Sequence, residues 1–483
     1  MIISTTLSTT AHPHLLLHHY HHRRHHHYNH HRRIAFVPKS TLNDPKTAII
    51  IGGGLAGLSA ATHLHSSNIP FLLLESSDGV GGRVRTDIVD GFRLDRGFQI
   101  FITAYPEAKK LLNYSSLNLQ KFYSGARVYF NGGFFTVADP ARHLMDSVWS
   151  LFNPIGSALD KFLIGLARVR VLIKSDEEIF RSDEVPVMEL LKNSGFSDSI
   201  IDRFFRPFFG GVFFDTELET TSRLFDFIFK CLALGDNTLP AKGIGEIPDQ
   251  LAAKLPSDCI RLNSRVVSVE FDDEGEKGVV VRLDNGEKLR SEIGVIIAVE
   301  QPEVEKLLAG NLIEGVSKPG NDKPGRSTVC LYFSSDRDKI PTSDPVLFLN
   351  GSGRGIVNNM FFATNVARLY GPPDKALVSV SLIGLFEDES DDELIGKVVR
   401  ELGGWFGESV VEGWKHLRTY RVRFAQPNQS PPTDLMKSPR IGAGFGLYLC
   451  GDYQTSATFD GALVSGRRAV EALLEDRAAS GVV

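Results

Sequence analysis

Cysteine is scarce. The 483 residues hold four, Cys231, Cys259, Cys330 and Cys450, far apart and without a C-x-x-C pair. That excludes a disulfide framework and a zinc site, and it fits a reduced compartment in which the thiols act as small buried hydrophobes. No charge-free apolar run reaches the roughly 18 residues of a transmembrane helix. Histidine is almost confined to the first 44 residues; beyond them only His63, His65, His143 and His416 occur, dispersed along the chain. No Ser/His/Asp or Cys/His set is legible, so no catalytic residue is named and no metal is expected.

The first 44 residues differ in composition from the rest. They hold eleven of the fifteen histidines, together with Arg23, Arg24, Arg32, Arg33 and Lys39, and their only acid is Asp44. Such a stretch buries too little apolar surface to fold alone. Acid-poor, Arg-bearing and Ser/Thr-rich composition marks an organelle transit peptide, with low complexity, metal binding or a purification tag as the other readings. Without it the chain loses five of its 53 basic and one of its 58 acidic residues, leaving a balance of −9. A nucleic-acid partner is therefore not expected.

The first strong motif follows Pro45. TAIII (47–51) is a β-branched run suited to a strand buried on both faces. Gly52, Gly54 and Gly57 then spell G-x-G-x-x-G, with Gly53, Leu55 and Ala56 between them. The first glycine permits a tight turn, the second lets backbone approach a pyrophosphate, and the third packs helix on strand. LSAATHLHSS continues as the helix and IPFLLLE as the next strand, ending in Glu75, 18 residues after Gly57. A carboxylate there accepts ribose hydroxyls, which fits NAD or FAD and disfavours NADP. SSDGVGGRVRT (76–86) adds Gly82 and Arg83, a guanidinium able to reach the same pyrophosphate bidentately.

With these motifs the sequence resembles the flavin-dependent amine oxidase, protoporphyrinogen oxidase and phytoene desaturase superfamily. The resemblance implies FAD, with Glu75 on the adenosine ribose and Arg83 on the pyrophosphate. LDRGFQIFITAYPEAKKLL (94–112) is similar to a plant phytoene desaturase stretch, which implies that Gly97 and Phe98 pass beside the isoalloxazine; Phe98 as plain core stays open. Val266, in NSRVVSVEF (263–271), matches a valine whose backbone contacts the adenine in family members. GLYLCGDYQTSATFDGALVSGRRAVEALL (446–474) resembles the family's final block. There Gly451-Asp452 is the pair whose carboxylate takes a ribityl hydroxyl, and Gly461-Ala462 open the helix that faces the flavin.

The amine oxidases of this superfamily carry a lysine near flavin N5 on the strand matching STVCLYF (327–333). Here Val329 and Cys330 occupy that region, which puts amine oxidation in doubt. Arg421 and Arg423 are read as carboxylate anchors or, more simply, surface cations. GAGFG (442–446) precedes a strand instead of following one, so no second phosphate turn exists and reduction by NADPH lacks a site.

The region 196–235 holds ten of the 32 phenylalanines. It reads as a helical domain with an aromatic core or, in the sharper alternative, as one of which a part lines a long apolar pocket for a lipid-like substrate. TTSRLFDFIFKCLAL should be a buried helix, and the glycine pair of RPFFGGVF marks a sharp turn or a close approach. SALDKFLIGLARVRVLIK (157–174) suits a membrane surface in composition, but its charges do not fall on one face, which favours a packed helix.

The expected fold is α/β, with a Rossmann-like FAD-binding domain of the glutathione-reductase type built from segments 45–115, 241–300 and 431–477. An α+β substrate domain is inserted, helical over 116–240 and sheet-rich over 301–430, behind the transit peptide 1–44. The expected activity is transfer of hydride from an apolar, carotenoid- or tetrapyrrole-like substrate to flavin N5, with oxygen or a quinone as acceptor. The alternatives are a flavin amine oxidase and a non-redox flavin-dependent isomerase. Delivery to the chloroplast is expected, with the mitochondrion as the other destination, and peripheral membrane contact is an open expectation.

Overall fold

The computed structural model describes residues 44–139, 142–143, 153–271, 278–308, 323–441 and 446–479. The leader, the turn at 272–277 and the glycines at 442 and 444 lie outside the described residues. Lys39–Val483 form one compact unit.

Its centre is a five-stranded parallel sheet. The strands run Ile260–Arg261, Phe71–Leu74, Ala48–Ile51, Val295–Ile297 and Leu447–Leu449 from edge to edge. The apolar runs form strands because both faces are covered, and alternation sorts the side chains between them. Ile50, Leu73, Ile296 and Tyr448 face one cluster, with the helices Leu55–Ser66 and Phe459–Ala479. Ile49, Ile51, Leu72, Val295 and Leu449 face the other, against the antiparallel sheet of Val266–Phe271, Val279–Leu283 and Lys288–Ser291. That small sheet is closed at Asn285-Gly286, where Gly286 takes φ +87°. The two helices cross closely: a Cβ on Gly466 would lie 2.2 Å from the Ala56 carbonyl oxygen.

A second, seven-stranded sheet runs Lys415–Gln426, Arg326–Asp336, Lys375–Ile383, Val357–Phe362, Leu347–Asn350, Gly125–Phe130 and Gly133–Ala138. All pairs are antiparallel except Leu347–Asn350 with Gly125–Phe130. Its outer face buries Val329, Leu331, Phe348, Met360 and Val380 beneath the helix Asp391–Phe406. Its inner face carries Cys330, Tyr332, Leu347, Phe361 and Leu377 toward the helical region and the cavity.

The phenylalanine-rich stretch folds largely as expected. Thr221 caps the helix Ser222–Leu234 by accepting from the Arg223 amide, and Phe225, Phe227 and Ile228 are buried on it. The RPFFGGVF glycines do not turn the chain; they lie within the helix Arg206–Phe213. There they serve close approach, since a Cβ on Gly211 would sit 2.6 Å from the Asn358 amide nitrogen and 2.8 Å from that of Asn359.

The helix Ala158–Leu172 is packed on one side, as expected, with Leu163 and Ile164 against the core, and leaves an apolar stripe open on the other. It buries Asp160 and Val171 and bonds to the Ser222–Leu234 helix through Arg170–Asp226 and Arg168 to the Ala233 carbonyl. Leu159, Phe162, Leu166 and Val169 on it, and Ile173 just after it, stay exposed. Their three- and four-residue spacing puts them in one stripe. No helix among the described residues is long and apolar enough to cross a membrane. All four cysteines are buried and free.

Candidate functional site

The carboxyl ends of the parallel strands open onto one cavity of about 570 Å³. Such crevices are where open α/β sheets bind ligands. The turn after Ala48–Ile51 supplies Gly52, at φ +106°, where a Cβ would lie 2.6 Å from the Ala298 carbonyl oxygen. Gly57 is tighter still, its absent Cβ falling 1.9 Å from the Gly52 oxygen, so helix and strand touch through it. Gly54 is different. Nothing lies within 4 Å of its Cβ position, and it faces the cavity. It caps the helix Leu55–Ser66 without a side-chain acceptor or an acid in the first turn, leaving the first amides open to an anion.

Glu75 ends the second strand, 8% exposed. Its Oε2 accepts the Gly53 amide at 2.6 Å and its Oε1 accepts the Ser77 amide at 2.8 Å. These bonds fix a carboxylate at the cavity wall with lone pairs to spare. Further along, Arg83 and Asp452 meet although 369 residues separate them: Arg83 Nη2 donates to Asp452 Oδ1 at 2.9 Å. Arg83 Nη1 donates to the Ala425 carbonyl, which holds the guanidinium against the wall. Gln99 Nε2 donates to the Arg83 and Arg96 carbonyls and ties the Gly97-Phe98 segment to the same corner.

Of the residues expected from sequence, Gly52, Gly54, Leu55, Ala56, Glu75, Gly82, Arg83, Gly97, Phe98, Gly451, Asp452 and Ala462 line this cavity. Gly53, Gly57, Val266 and Gly461 do not. Gly57 packs helix on strand, and Gly461 packs inside its own turn, where a Cβ would meet the Ser456 oxygen at 1.9 Å. Beside Val266, Arg265 lines the cavity.

Sequence reasoning missed Glu300. It lines the cavity and stands 3.6 Å from Arg83 Nε. Burial pushes its carboxyl up while Arg83 opposes the shift. The signal was present, since Glu300 follows the strand in IIAVE much as Glu75 follows FLLL. The lysine comparison also shifts by one residue. Val329 points to the outer face and Cys330 into the core, and Thr328 is the residue of that strand that lines the cavity. Arg421 and Arg423 sit elsewhere. Arg421 donates to the Leu385 and Phe386 carbonyls and Arg423 pairs with Glu387.

The other arm of the cavity is apolar, walled by Phe98, Ile100, Phe122, Phe208, Ile228 and Leu232, among others. Among the described residues that line it there is no lysine and no histidine. The open glycine, the uncapped helix N-terminus, the wall carboxylate and the guanidinium are the donor set a dinucleotide with one pyrophosphate needs, and they fit FAD.

The comparisons agree. The family model for flavin containing amine oxidoreductases matches residues 55–474. A 15-cis-phytoene desaturase, chloroplastic/chromoplastic, of Glycine max is 22% identical over 465 residues, covering 89% of this chain and 80% of its own. An oxidoreductase from Methanosarcina mazei superposes with a TM-score of 0.67 at 16% identity, covering 89% of this chain and all of the other. A putrescine oxidase bound to putrescine gives a TM-score of 0.63, also at 16%, with 89% and 99% covered. At those identities the structural matches establish a shared mixed α/β fold and nothing about substrate.

Proposed function

The chain belongs to the family of flavin containing amine oxidoreductases, and from that premise we propose that it is an FAD-dependent dehydrogenase or desaturase of an apolar metabolite. The observation that carries the reading is one cavity joining a dinucleotide cradle to an aromatic and aliphatic arm without a lysine or histidine among its described lining. The parallel sheet with its flanking segments is the Rossmann-like FAD domain, drawn from 45–115, 241–300 and 431–477. The segments between it form the inserted substrate domain.

Glu75 takes the ribose hydroxyls, the amides after Gly54 and Arg83 take the pyrophosphate, and Asp452 takes a ribityl hydroxyl. Gly97-Phe98 would stand beside the ring system and Ala462 would face it from the first turn of the Phe459–Ala479 helix, while at the adenine end it is Arg265, next to Val266, that lines the cavity. Bound there, FAD would supply a two-electron hydride acceptor, with oxygen or a quinone as the final electron acceptor. The chain orients a substrate C–H with the walls of Phe98, Phe122 and Phe208 and excludes water from it. The positive end of the Phe459–Ala479 helix favours negative charge developing near its N-terminus.

A leader of transit-peptide composition and the chloroplastic naming of the phytoene desaturase relatives support delivery to the chloroplast. A fluorescent fusion of residues 1–60 tests it; a cytosolic fusion refutes it. The exposed stripe Leu159, Phe162, Leu166, Val169 and Ile173 supports peripheral membrane contact. The helix packed against it, Ser222–Leu234, lines the cavity through Ile228 and Leu232.

The test of the function is a lipid and pigment profile of cells lacking the protein. Accumulation of a more saturated apolar precursor is expected. Accumulation of an amine would favour the amine oxidase reading instead.

A further inference from the structure

Two polar side chains that line the cavity carry a buried oxygen without a hydrogen-bond partner: Gln99, through Oε1 in the corner beside Arg83, and Asn359. Asn359 lies on the strand Val357–Phe362, is 1% exposed, and lines the cavity with Phe208, Gly211 and Thr328. Its Oδ1 is buried without a hydrogen-bond partner. Three of the nearby polar groups are occupied. Thr328 Oγ1 donates to the Leu382 carbonyl, Gln426 Nε2 to the Val212 carbonyl, and Asn358 Nδ2 to the Pro207 carbonyl. Directly across the strand pair from Asn359 stands Ser381, whose hydroxyl is likewise buried and unpartnered.

Two facts argue that this is a built feature. A register shift falls between Val357 and Asn359, the kind of bulge that re-aims a side chain beside a site. The facing helix carries Gly211, where any Cβ would collide with the Asn358 and Asn359 amides. Space has been kept for a carboxamide that has no internal use. A buried polar group without a partner is costly, and a hydrophobic residue of similar size would remove that cost.

We propose that Asn359 anchors a hydroxyl or carbonyl oxygen of the substrate, so that the substrate is an oxygenated apolar molecule and not a pure hydrocarbon. The inference rests on reading the cavity as an FAD oxidoreductase site. Asn359 is then a specificity residue: its carboxamide donates to a carbonyl or accepts from a hydroxyl, and the aromatic walls hold the remainder.

The test uses the FAD-loaded full chain and two probes of one shape, naphthalene and 2-naphthol, with binding read from perturbation of the visible flavin spectrum. The wild-type protein is expected to bind 2-naphthol about tenfold or more tighter, the usual worth of one buried hydrogen bond. Asn359→Leu should lose most of that preference while keeping its affinity for naphthalene and its flavin content. Should Asn359→Leu fail to fold, Asn359→Ala, which also removes the hydrogen-bonding group, answers the same question. Naphthalene and 2-naphthol bound equally by the wild type would overturn the proposal and leave the oxidoreductase reading standing, with a buried water as the partner of Asn359. A preference that survives both substitutions also overturns it. If neither probe perturbs the flavin, the cavity is not the substrate site and both readings fall.

Discussion

The three glycines of the first turn should fail in different ways when substituted, and Gly54 against Gly57 is the informative comparison. Gly54 has φ −73° and ψ −177°, a conformation alanine adopts freely, and no atom lies within 4 Å of the added Cβ. In the cofactor-free protein Gly54→Ala should be neutral or stabilising by about 0.4–1 kcal/mol, because it restricts the unfolded chain. FAD binding should suffer. A phosphate oxygen sits about 2.9 Å from an amide that holds it, whereas a methyl keeps neighbours at about 3.5 Å. Pushing the pyrophosphate back weakens one charge-assisted hydrogen bond, worth about 1.5–3 kcal/mol, so affinity should fall roughly ten- to a hundredfold. Gly57→Ala places its Cβ 1.9 Å from backbone that cannot yield cheaply. That overpacking costs about 1–3 kcal/mol or more in the cofactor-free protein, and binding is lost along with it. Thermal unfolding of stripped protein and FAD titration by fluorescence quenching measure both quantities. A Gly54→Ala protein that binds FAD as tightly as the wild type would refute the placement of the pyrophosphate. A Gly57→Ala protein of unchanged stability would refute the helix–strand contact.

Three further expectations follow from individual contacts. Arg83→Met leaves Asp452 buried without its cation; a fully buried pair would lose about 3–5 kcal/mol, and the partial exposure of Arg83 lowers this to about 2–3. Adding Asp452→Leu should restore stability in urea but not FAD binding, and a single variant as stable as the wild type would refute it. Asp95 is buried, accepts from the Thr86 and Tyr370 hydroxyls and the Ile244 amide, and has its carboxyl pushed up to about 6 by burial. A raised folded-state value means stability is fully present below pH ~4 and lost as pH rises through about 6, by roughly 2–3 kcal/mol for this group. Asp95→Asn should flatten that part of the profile in urea unfolding at pH 4.5 and 7, and a parallel profile would contradict it. Finally, Phe162→Glu with Leu166→Glu should reduce co-sedimentation with galactolipid vesicles severalfold while FAD content stays unchanged; undiminished binding would clear that stripe of any membrane role.

The cofactor half of the site was legible because its signals are local or chemically unusual. The Gly52–Gly57 turn, the acid after a β-branched strand, and a GGR followed far downstream by GD each constrain backbone or charge within a few residues. Arg83 and Asp452, which the resemblance assigned to separate parts of one cofactor, bond directly to each other, a pairing neither motif announced. What escaped was set by long-range geometry. Thr328, Val329 and Cys330 are neighbours in sequence, but only the seven-stranded sheet decides which of them faces the cavity. Asn359 shares the inner face with Phe361 by plain alternation, but nothing in the sequence announces that this face meets the cavity. Gly211 signalled a close approach correctly, but not that its partners, Asn358 and Asn359, come from a strand far along the sequence. The hairpin Gly125–Ala138 joins the large sheet from a stretch expected to be helical, although its Asn131-Gly132 turn, with φ +49° and +79°, is a strong local hairpin signal.

The most direct measurement of the central claim is anaerobic mixing of the purified, FAD-loaded protein with candidate substrates, followed at the visible flavin bands. Bleaching by an oxygen-bearing apolar polyene or a porphyrinogen, with none by putrescine, is the predicted result. Bleaching by the amine alone, turnover only after the flavin has been reduced in advance, or a protein that purifies and reconstitutes without any flavin would contradict it.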